Sequence, residues 1–130
     1  MASWADVAEI AVGLPEVAEE PTFGNRAWKV RKKLFVWERP LRPKEVEQLG
    51  DAAPDGEILG VRVPDEEAKA ALLASEPEIY FTTPHFDGYP SVLVRLERIP
   101  RADLEEAIVE AWLSRAPKRV AKAWLDARDD

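Results

Sequence analysis

The sequence of 130 residues contains no cysteine and a single histidine, His85. Without thiols the chain forms no disulfide, offers no thiolate ligand to a metal and has no cysteine nucleophile. A zinc or copper site would need several carboxylates around the one imidazole. The acidic residues at 16, 19 and 20 and at 65–67 are instead typical of solvated faces and helix starts. We therefore expect no metal site and no cofactor.

Other signatures are also missing. No apolar run approaches the roughly 20 residues that cross a bilayer, and residues 1–6 lack the basic start of a signal peptide. The six glycines stand singly, so neither a Walker loop nor a dinucleotide-binding fingerprint is present. None of the four serines has the flanking glycines of a nucleophile elbow. These absences predict a cytoplasmic protein that does not act on a membrane and is not an enzyme.

The composition is that of a folded protein, with 46% hydrophobic and 33% charged residues. A chain of this length is close to the commonest domain size, which predicts one domain over residues 1–130. The formal net charge is −7, which opposes binding to a phosphate backbone at long range. The charge is uneven, because residues 1–25 hold five acids and no Lys or Arg, whereas residues 26–44 hold eight basic residues and one acid.

The hydrophobic pattern predicts both helices and strands. Ser3 and Asp6 have the spacing of a reciprocal helix cap, and Pro15 and Pro21 bracket an acidic loop. In the segment 91–97, alternation predicts a strand with one buried face and one solvated face. Helices and strands do not alternate strictly, so we expect an α+β fold: an antiparallel sheet of about five strands with helices packed mainly on one face. The predicted helices cover residues 4–12, a short segment from 43, a segment from 64, 101–115 and 117–127, and the predicted strands lie within 26–38, 57–63, 79–83 and 91–97.

A basic hairpin is the strongest functional feature. Residues 26–38 read as two strands, with Arg31, Lys32 and Lys33 at an exposed turn, because burying unpaired charge is costly. Such a hairpin could place cations against a phosphate backbone, and the start of the last helix could add further cations. The alternative is that these cations are solvated and paired with surface acids. The candidate nucleic-acid-binding residues are Arg26, Lys29, Arg31, Lys32, Lys33, Lys118, Arg119 and Lys122.

The His85 segment is the second candidate. His85 lies between two predicted strands and could act as a general base oriented by Asp87. The alternative is a histidine that hydrogen-bonds within a tight loop, since Asp87-Gly88 is an ordinary turn pair. A binding site for a small ligand or a protein would use His85, Tyr80, Tyr89 and Trp28.

Five tryptophans also invite a stacking hypothesis. Trp4, Trp112 and Trp124 fall on the inward faces of predicted helices, so we expect these rings to pack in the core. In the last helix, the alanines 123 and 127 are predicted to face inward as well. Trp28 and Trp37 lie on the basic hairpin, where one ring could face outward.

Several stretches, in their order and spacing, match one known family. They are Leu14-Pro15-Glu16-Val17, Phe23-Gly24, Ala27-Trp28-Lys29-Val30, Lys33-Leu34-Phe35-Val36, Ile79 to Pro90, Val92-Leu93-Val94-Arg95-Leu96 and Ala111-Trp112. Through them the chain resembles the MmcQ/YjbR-like family over nearly its whole length. The resemblance implies an α+β fold with an antiparallel sheet. Members are usually called DNA-binding proteins, from a proposed double-wing arrangement, and no enzymatic activity is established for them.

The chain departs from better-known members after the histidine. Those members carry a His-Met-Asn-Lys-x-x-Trp-like stretch, whereas this chain has His85-Phe86-Asp87-Gly88-Tyr89-Pro90. The histidine is kept, but a cation near the implied binding surface is replaced by an acidic turn. The leading hypothesis is a non-enzymatic DNA-binding module that uses the basic hairpin, and the alternative is a ligand- or protein-binding module around His85. The oligomeric state is left open.

Overall fold

The computed structural model describes residues 2–54 and 56–128. The helices and strands are connected by short turns, three of which are 3-10 helices, at Gly50–Ala52, Pro84–Phe86 and Leu96–Arg98. The α-helices are α1 (Trp4–Val12), α2 (Pro43–Leu49), α3 (Glu66–Ser75), α4 (Arg101–Arg115) and α5 (Lys118–Arg128). The strands are β1 (Val17–Glu19), β2 (Ala27–Val30), β3 (Lys33–Glu38), β4 (Ile58–Arg62), β5 (Tyr80–Phe81) and β6 (Ser91–Arg95).

The strands form one sheet in the order β1-β2-β3-β4-β6-β5, and every neighbouring pair is antiparallel. The predicted α+β class with an antiparallel sheet is therefore confirmed, with six strands rather than about five. The additional strand, β1, lies in the segment predicted as an acidic loop. The sequence did not predict this strand, because glutamates and flanking prolines are more typical of a loop. At the sheet edge the acidic side chains of this segment remain at least partly exposed, so they are compatible with a strand.

The main core lies between one face of the sheet and helices α1 and α4. Trp28 and Trp112 are fully buried there, and Trp4 stacks on Trp28 with ring centroids 6.3 Å apart. Trp124 packs edge-on against Trp112 at 5.3 Å. The tryptophans predicted to be inward therefore do contribute to the core, and Trp28, which was left open, is fully buried with them.

The opposite face of the sheet carries a second, smaller core. Leu93 in β6 is fully buried there against Ile58, Phe81 and Phe86. The prediction of one solvated face on this strand was wrong for its central part, because residues from α2 and from the 84–86 turn cover it. Ser91, expected to be solvated, is 4% exposed.

Helix bounds follow local capping signals closely. Helix α1 spans the predicted residues, and Ser3 and Asp6 form the reciprocal cap. Helix α4 also spans its predicted range. The strands at 79–83 and 91–97 are shorter than predicted, because the chain turns into 3-10 helices at Pro84 and Leu96.

Helix α5 is less covered than predicted. Ala123 and Ala127 are exposed rather than inward, and no residue of this helix is fully buried. Val120 and Trp124 only partly pack against the main core. The reason is that α5 contacts the core only through Val120, Ala121 and Trp124, while its other side chains face solvent.

The turn between β2 and β3 is strained. Arg31 and Lys32 have φ values of 47° and 72°, which belong to the left-handed region that favours glycine or asparagine. Lys33, predicted in the turn, begins β3 instead. The tight turn therefore consists of two cations in a conformation that neither prefers.

Replacing Lys32 by glycine should stabilise the protein. We expect Lys32→Gly to raise the free energy of unfolding by about 0.5–1 kcal/mol, because glycine adopts positive φ without steric cost and the exposed ion pair it removes is worth little. Urea unfolding followed by circular dichroism measures this. The matched control, Lys33→Gly in β3, should destabilise the protein. Equal effects of both substitutions would contradict the assignment of strain to residue 32.

Candidate functional site

The buried polar side chains that the structure describes lie in, or contact, residues 83–91, the segment between β5 and β6. Within the described residues, four polar or charged side chains are buried: Glu45, Lys69, Thr83 and Ser91. Thr83 and Ser91 begin and end the segment, and the other two bind it from outside. Since buried polar groups are costly unless paired, this concentration marks a segment whose conformation is firmly held.

Glu45, in the first turn of α2, holds the start of the segment. Its carboxylate accepts two hydrogen bonds from the guanidinium of Arg39, at 2.9 and 2.8 Å. It also accepts hydrogen bonds from the backbone N–H of Arg42 at 2.9 Å and from the hydroxyl of Thr83 at 3.1 Å. One carboxylate thus joins the end of β3, the start of α2 and the end of β5.

The pKa of Glu45 reflects these partners. Burial by itself raises the pKa of this carboxyl group, but hydrogen bonds from Arg39 and Arg42, the charge of Arg39 and the hydroxyl of Thr83 together lower it to about 2. The cluster is therefore held in its ionised form throughout the neutral and mildly acidic range.

Lys69, on α3, holds the rest of the segment. Its ammonium group donates hydrogen bonds to the backbone carbonyls of Phe86, at 2.6 Å, and Tyr89, at 2.8 Å. Only 5% of this lysine is exposed, and no carboxylate among residues 2–54 and 56–128 pairs with it. A buried lysine is therefore used to fix the backbone of the segment that carries His85.

A groove of about 610 Å³ opens beside the 84–86 turn and is called here the His85 groove. It runs between this turn, the start of α2 and the turn between β1 and β2. Its apolar lining residues are Phe23, Leu34, Trp37, Leu41 and Phe86, and its polar and charged ones include Arg26, Glu38, Arg39, Arg42 and His85.

Two backbone features shape the groove. Gly60 has no Cβ, and a Cβ there would lie 2.3 Å from the ring of Trp37, so this glycine lets the indole lie flat on the sheet. At the opposite edge, Phe23 is 98% exposed on a tight turn closed by Thr22 and Asn25. Its φ of 53° is unusual for a bulky residue. The exposed ring of Phe23 therefore forms one edge of the groove.

His85 itself is exposed, and its ring lies edge-on to Phe86 with centroids 4.9 Å apart. No hydrogen bond joins its ring to any residue of 2–54 or 56–128. The two earlier interpretations, a base oriented by Asp87 and a histidine bound within its loop, both required such a bond. The imidazole is instead available to the groove.

The structure separates the residues grouped with His85 by sequence. Trp28 is fully buried in the main core, and Tyr80 is 4% exposed on that same face of the sheet, away from the groove. Tyr89 is 59% exposed beyond the 84–86 turn and does not line the groove. Of Trp28 and Trp37, one of which could face outward by the sequence analysis, Trp37 is the one that lines the groove. The lining residues that sequence reasoning missed include Arg42 and Phe23.

Most cations of the basic hairpin are paired. Arg26 binds Glu19 at 2.8 Å, Arg31 binds Glu16 at 2.6 Å, and Lys32 binds Glu20 at 3.2 Å. These acids come from β1 and its flanks, beside the hairpin. Within the described residues, Lys29 and Lys33 form no ion pair.

The three candidate cations of α5 have different surroundings. Lys122 pairs with Asp126 one turn along the helix, at 2.9 Å. Arg119 lines a shallow groove together with Arg31 and Glu16, so one cation of α5 does lie near the hairpin turn. Lys118 is exposed at the helix start.

Among residues 2–54 and 56–128, no group of three or more acidic or histidine side chains comes together in a way that could hold a metal ion. In the same part of the chain, none of the helices combines the length and the apolar character needed to span a bilayer.

Comparisons with known proteins identify relatives. A sequence model of the YjbR family matches residues 12–114. Uncharacterized proteins of Mycobacterium bovis and Mycobacterium tuberculosis are 56% identical over 128 residues, which is 96% of this chain and 97% of theirs. The crystal structure of Deinococcus radiodurans protein DR2400, with a DUF419 domain, has a similar fold with a TM-score of 0.63 at 20% identity, covering 87% of this chain and 78% of that one.

Removing the charge of Glu45 should destabilise the protein in a pH-dependent way. We expect Glu45→Gln to lower the free energy of unfolding by about 3 kcal/mol at neutral pH, because Arg39 is left buried without its partner. The pKa of Glu45 is lowered on folding from its ordinary 4.5 to about 2, so its contribution is complete above 4.5 and is lost as the pH falls toward 2.

The difference between wild type and Glu45→Gln should therefore shrink by about 2 kcal/mol between neutral pH and about pH 3. Urea unfolding at both pH values measures it. Glu47→Gln, an exposed glutamate on the same helix, is the matched control and should behave as wild type. A difference that does not change with pH would contradict the lowered pKa.

Proposed function

This chain belongs to the YjbR family, and we propose that it is a non-enzymatic binding protein whose ligand occupies the His85 groove. The observation that carries the proposal is the concentration of buried polar groups on residues 83–91. Lys69 binds two backbone carbonyls of this segment, and Glu45, which pairs with Arg39, also accepts a hydrogen bond from the hydroxyl of Thr83. Such support is expected where a binding segment must be preorganised.

The lining of the His85 groove indicates the class of ligand. Trp37, Leu41 and Phe86 offer an apolar and largely aromatic floor. Among the groove's arginines, Arg26 and Arg39 are paired with Glu19 and Glu45, whereas Arg42 has no carboxylate partner in the described part of the chain. These features favour a small molecule with an aromatic body and one anionic group.

The absence of catalysis is part of the proposal. A general base needs a partner that orients it, and no described residue forms a hydrogen bond with the ring of His85. In our proposal His85 therefore contacts the ligand without transferring a proton. We also propose a cytoplasmic location, since a chain without cysteine is suited to a reducing compartment.

Anilinonaphthalene sulfonate, an aromatic anion that fluoresces on binding, tests this proposal directly. We expect saturable binding to wild type and a loss of about fivefold in affinity for Arg42→Ala and for His85→Ala, the order expected for one exposed charged contact. In a proton–nitrogen correlation spectrum, the probe should shift the signal of the Trp37 indole N–H. This signal is assigned by its absence from the spectrum of the Trp37→Phe variant.

Lys44→Ala is the matched control, because Lys44 is an exposed cation two residues from Arg42 that does not line the groove. It should bind the probe as wild type does. If Arg42→Ala and Lys44→Ala bind equally, or if the shifted signals lie outside the groove, the proposed ligand site is wrong.

Nucleic-acid binding by the basic hairpin is a second candidate. The observation in its favour is that Arg31 and Arg119 line one shallow surface groove, so the hairpin turn and α5 present cations on the same side. Glu16 lies in that groove as well and pairs with Arg31. In this proposal the acids beside β1 weaken the interaction of the hairpin with phosphates.

Removing those acids should strengthen DNA binding if the hairpin binds DNA. We expect Glu16→Gln with Glu20→Gln to raise the affinity for a labelled duplex severalfold, and Lys32→Glu with Lys33→Glu to abolish it, as measured by fluorescence anisotropy at about 50 and 200 mM salt. Glu47→Gln with Glu105→Gln removes the same charge elsewhere and should have little effect. No binding at low salt, or equal effects of the two glutamine pairs, would rule this candidate out.

A further inference from the structure

A second cleft lies on the other side of the sheet, between α3 and α4, and has a volume of about 360 Å³. It is called here the Tyr80 cleft. Small side chains on the two facing helices, Ala68, Ala71 and Ala107, leave the space open. Its floor is apolar, with Val61 and Leu72.

The rim of the Tyr80 cleft is strongly acidic. Glu76, Asp103, Glu106 and Glu110 line it, against the single cation Arg62. Within the described residues none of these four carboxylates takes part in an ion pair. Unpaired carboxylates around an apolar floor favour a ligand that carries positive charge on an apolar chain.

Tyr80 supplies an independent indication. Its side chain is 4% exposed and lines the cleft, yet its hydroxyl group has no hydrogen-bond partner among residues 2–54 and 56–128. The hydroxyl oxygen itself is not sealed off, because the buried side-chain atoms that lack a partner in the described residues are Trp28 Nε1 and Arg115 Nε. It therefore opens into the cleft, where a group that enters can form the missing hydrogen bond. Burial, and after it the negative charges of Glu76, Asp103 and Glu106, raise the pKa of Tyr80 to about 12.

The spacing of the carboxylates distinguishes an extended cation from a metal ion. No three acidic side chains of the described part come together as metal ligands. Asp103, Glu106 and Glu110 instead follow one another along α4 and span about 10 Å at ~1.5 Å per residue. A flexible chain with several ammonium groups separated by short methylene segments matches that row, and its methylenes would lie on the apolar floor.

We propose that the Tyr80 cleft binds a linear aliphatic polyamine. Its ammonium groups pair with Asp103, Glu106 and Glu110, one of them donates a hydrogen bond to the hydroxyl oxygen of Tyr80, and its methylenes pack on Leu72 and the helix alanines. The cleft lies on the opposite face of the sheet from the His85 groove, so this inference does not rest on the function proposed above.

Calorimetric titration with spermidine at about 100 mM salt, where unspecific surface attraction is largely screened, tests the proposal. We expect one saturable site in wild type. Asp103→Asn with Glu106→Gln should weaken binding about tenfold, and Tyr80→Phe, which keeps the packing of the ring, should weaken it about threefold through the lost hydrogen bond. Amide signals of α3 and α4 around the cleft should shift on binding.

Glu67→Gln with Glu105→Gln is the matched control, because it removes the same charge from exposed positions on the same two helices outside the cleft. It should change the affinity less than about twofold. If both double variants bind spermidine equally, the attraction is only that of an acidic surface and the proposal is wrong. The proposal is equally wrong if magnesium chloride shifts the same amide signals with an affinity as high as that of spermidine.

Discussion

The carboxylate of Glu45 is the contact on which the arrangement around the His85 groove depends. Its partners are the guanidinium of Arg39 at the end of β3, the N–H of Arg42 before α2 and the hydroxyl of Thr83 after β5. Arg39 and Arg42 are close to Glu45 in sequence, whereas Thr83 is 38 residues away, so the carboxylate joins the segment 39–45 to a distant part of the chain. Because the pair with Arg39 is almost fully buried, removing either member leaves a charge without a partner, which is far more costly than losing an exposed ion pair.

Strand β5 lies between the two proposed binding sites. It has only two residues, and successive side chains on a strand point to opposite faces. Tyr80 therefore faces the main core and the Tyr80 cleft, whereas Phe81 faces the second core beneath the 84–86 turn. Lys69 connects the two sides, since it reaches from α3 to the carbonyls of Phe86 and Tyr89. Two ligands could thus be bound on opposite faces of one sheet.

The sequence predicted those features of the fold that short-range signals determine. The bounds of α1 and α4, the β2–β3 hairpin and the antiparallel character of the sheet follow from caps, turns and alternation. The burial of Glu45 and Lys69 could not be predicted in this way, because each is an ordinary polar residue of an amphipathic helix until its distant partner is known. The same limit explains the grouping of Tyr80 with His85, which are close in sequence but lie on different sides of the sheet.

Folding brings together charges that are separate in the sequence. The acidic first 25 residues and the basic segment after them seemed to be separate features, but antiparallel pairing of β1 with β2 places Glu16, Glu19 and Glu20 beside the hairpin cations. Much of the positive charge is therefore neutralised within this part of the sheet. The net charge of −7 must then be carried largely by other surfaces. The four carboxylates around the Tyr80 cleft, which form no ion pair with the residues that the structure describes, make up one of these surfaces, so a cation is better matched to this protein's field than a phosphate backbone is.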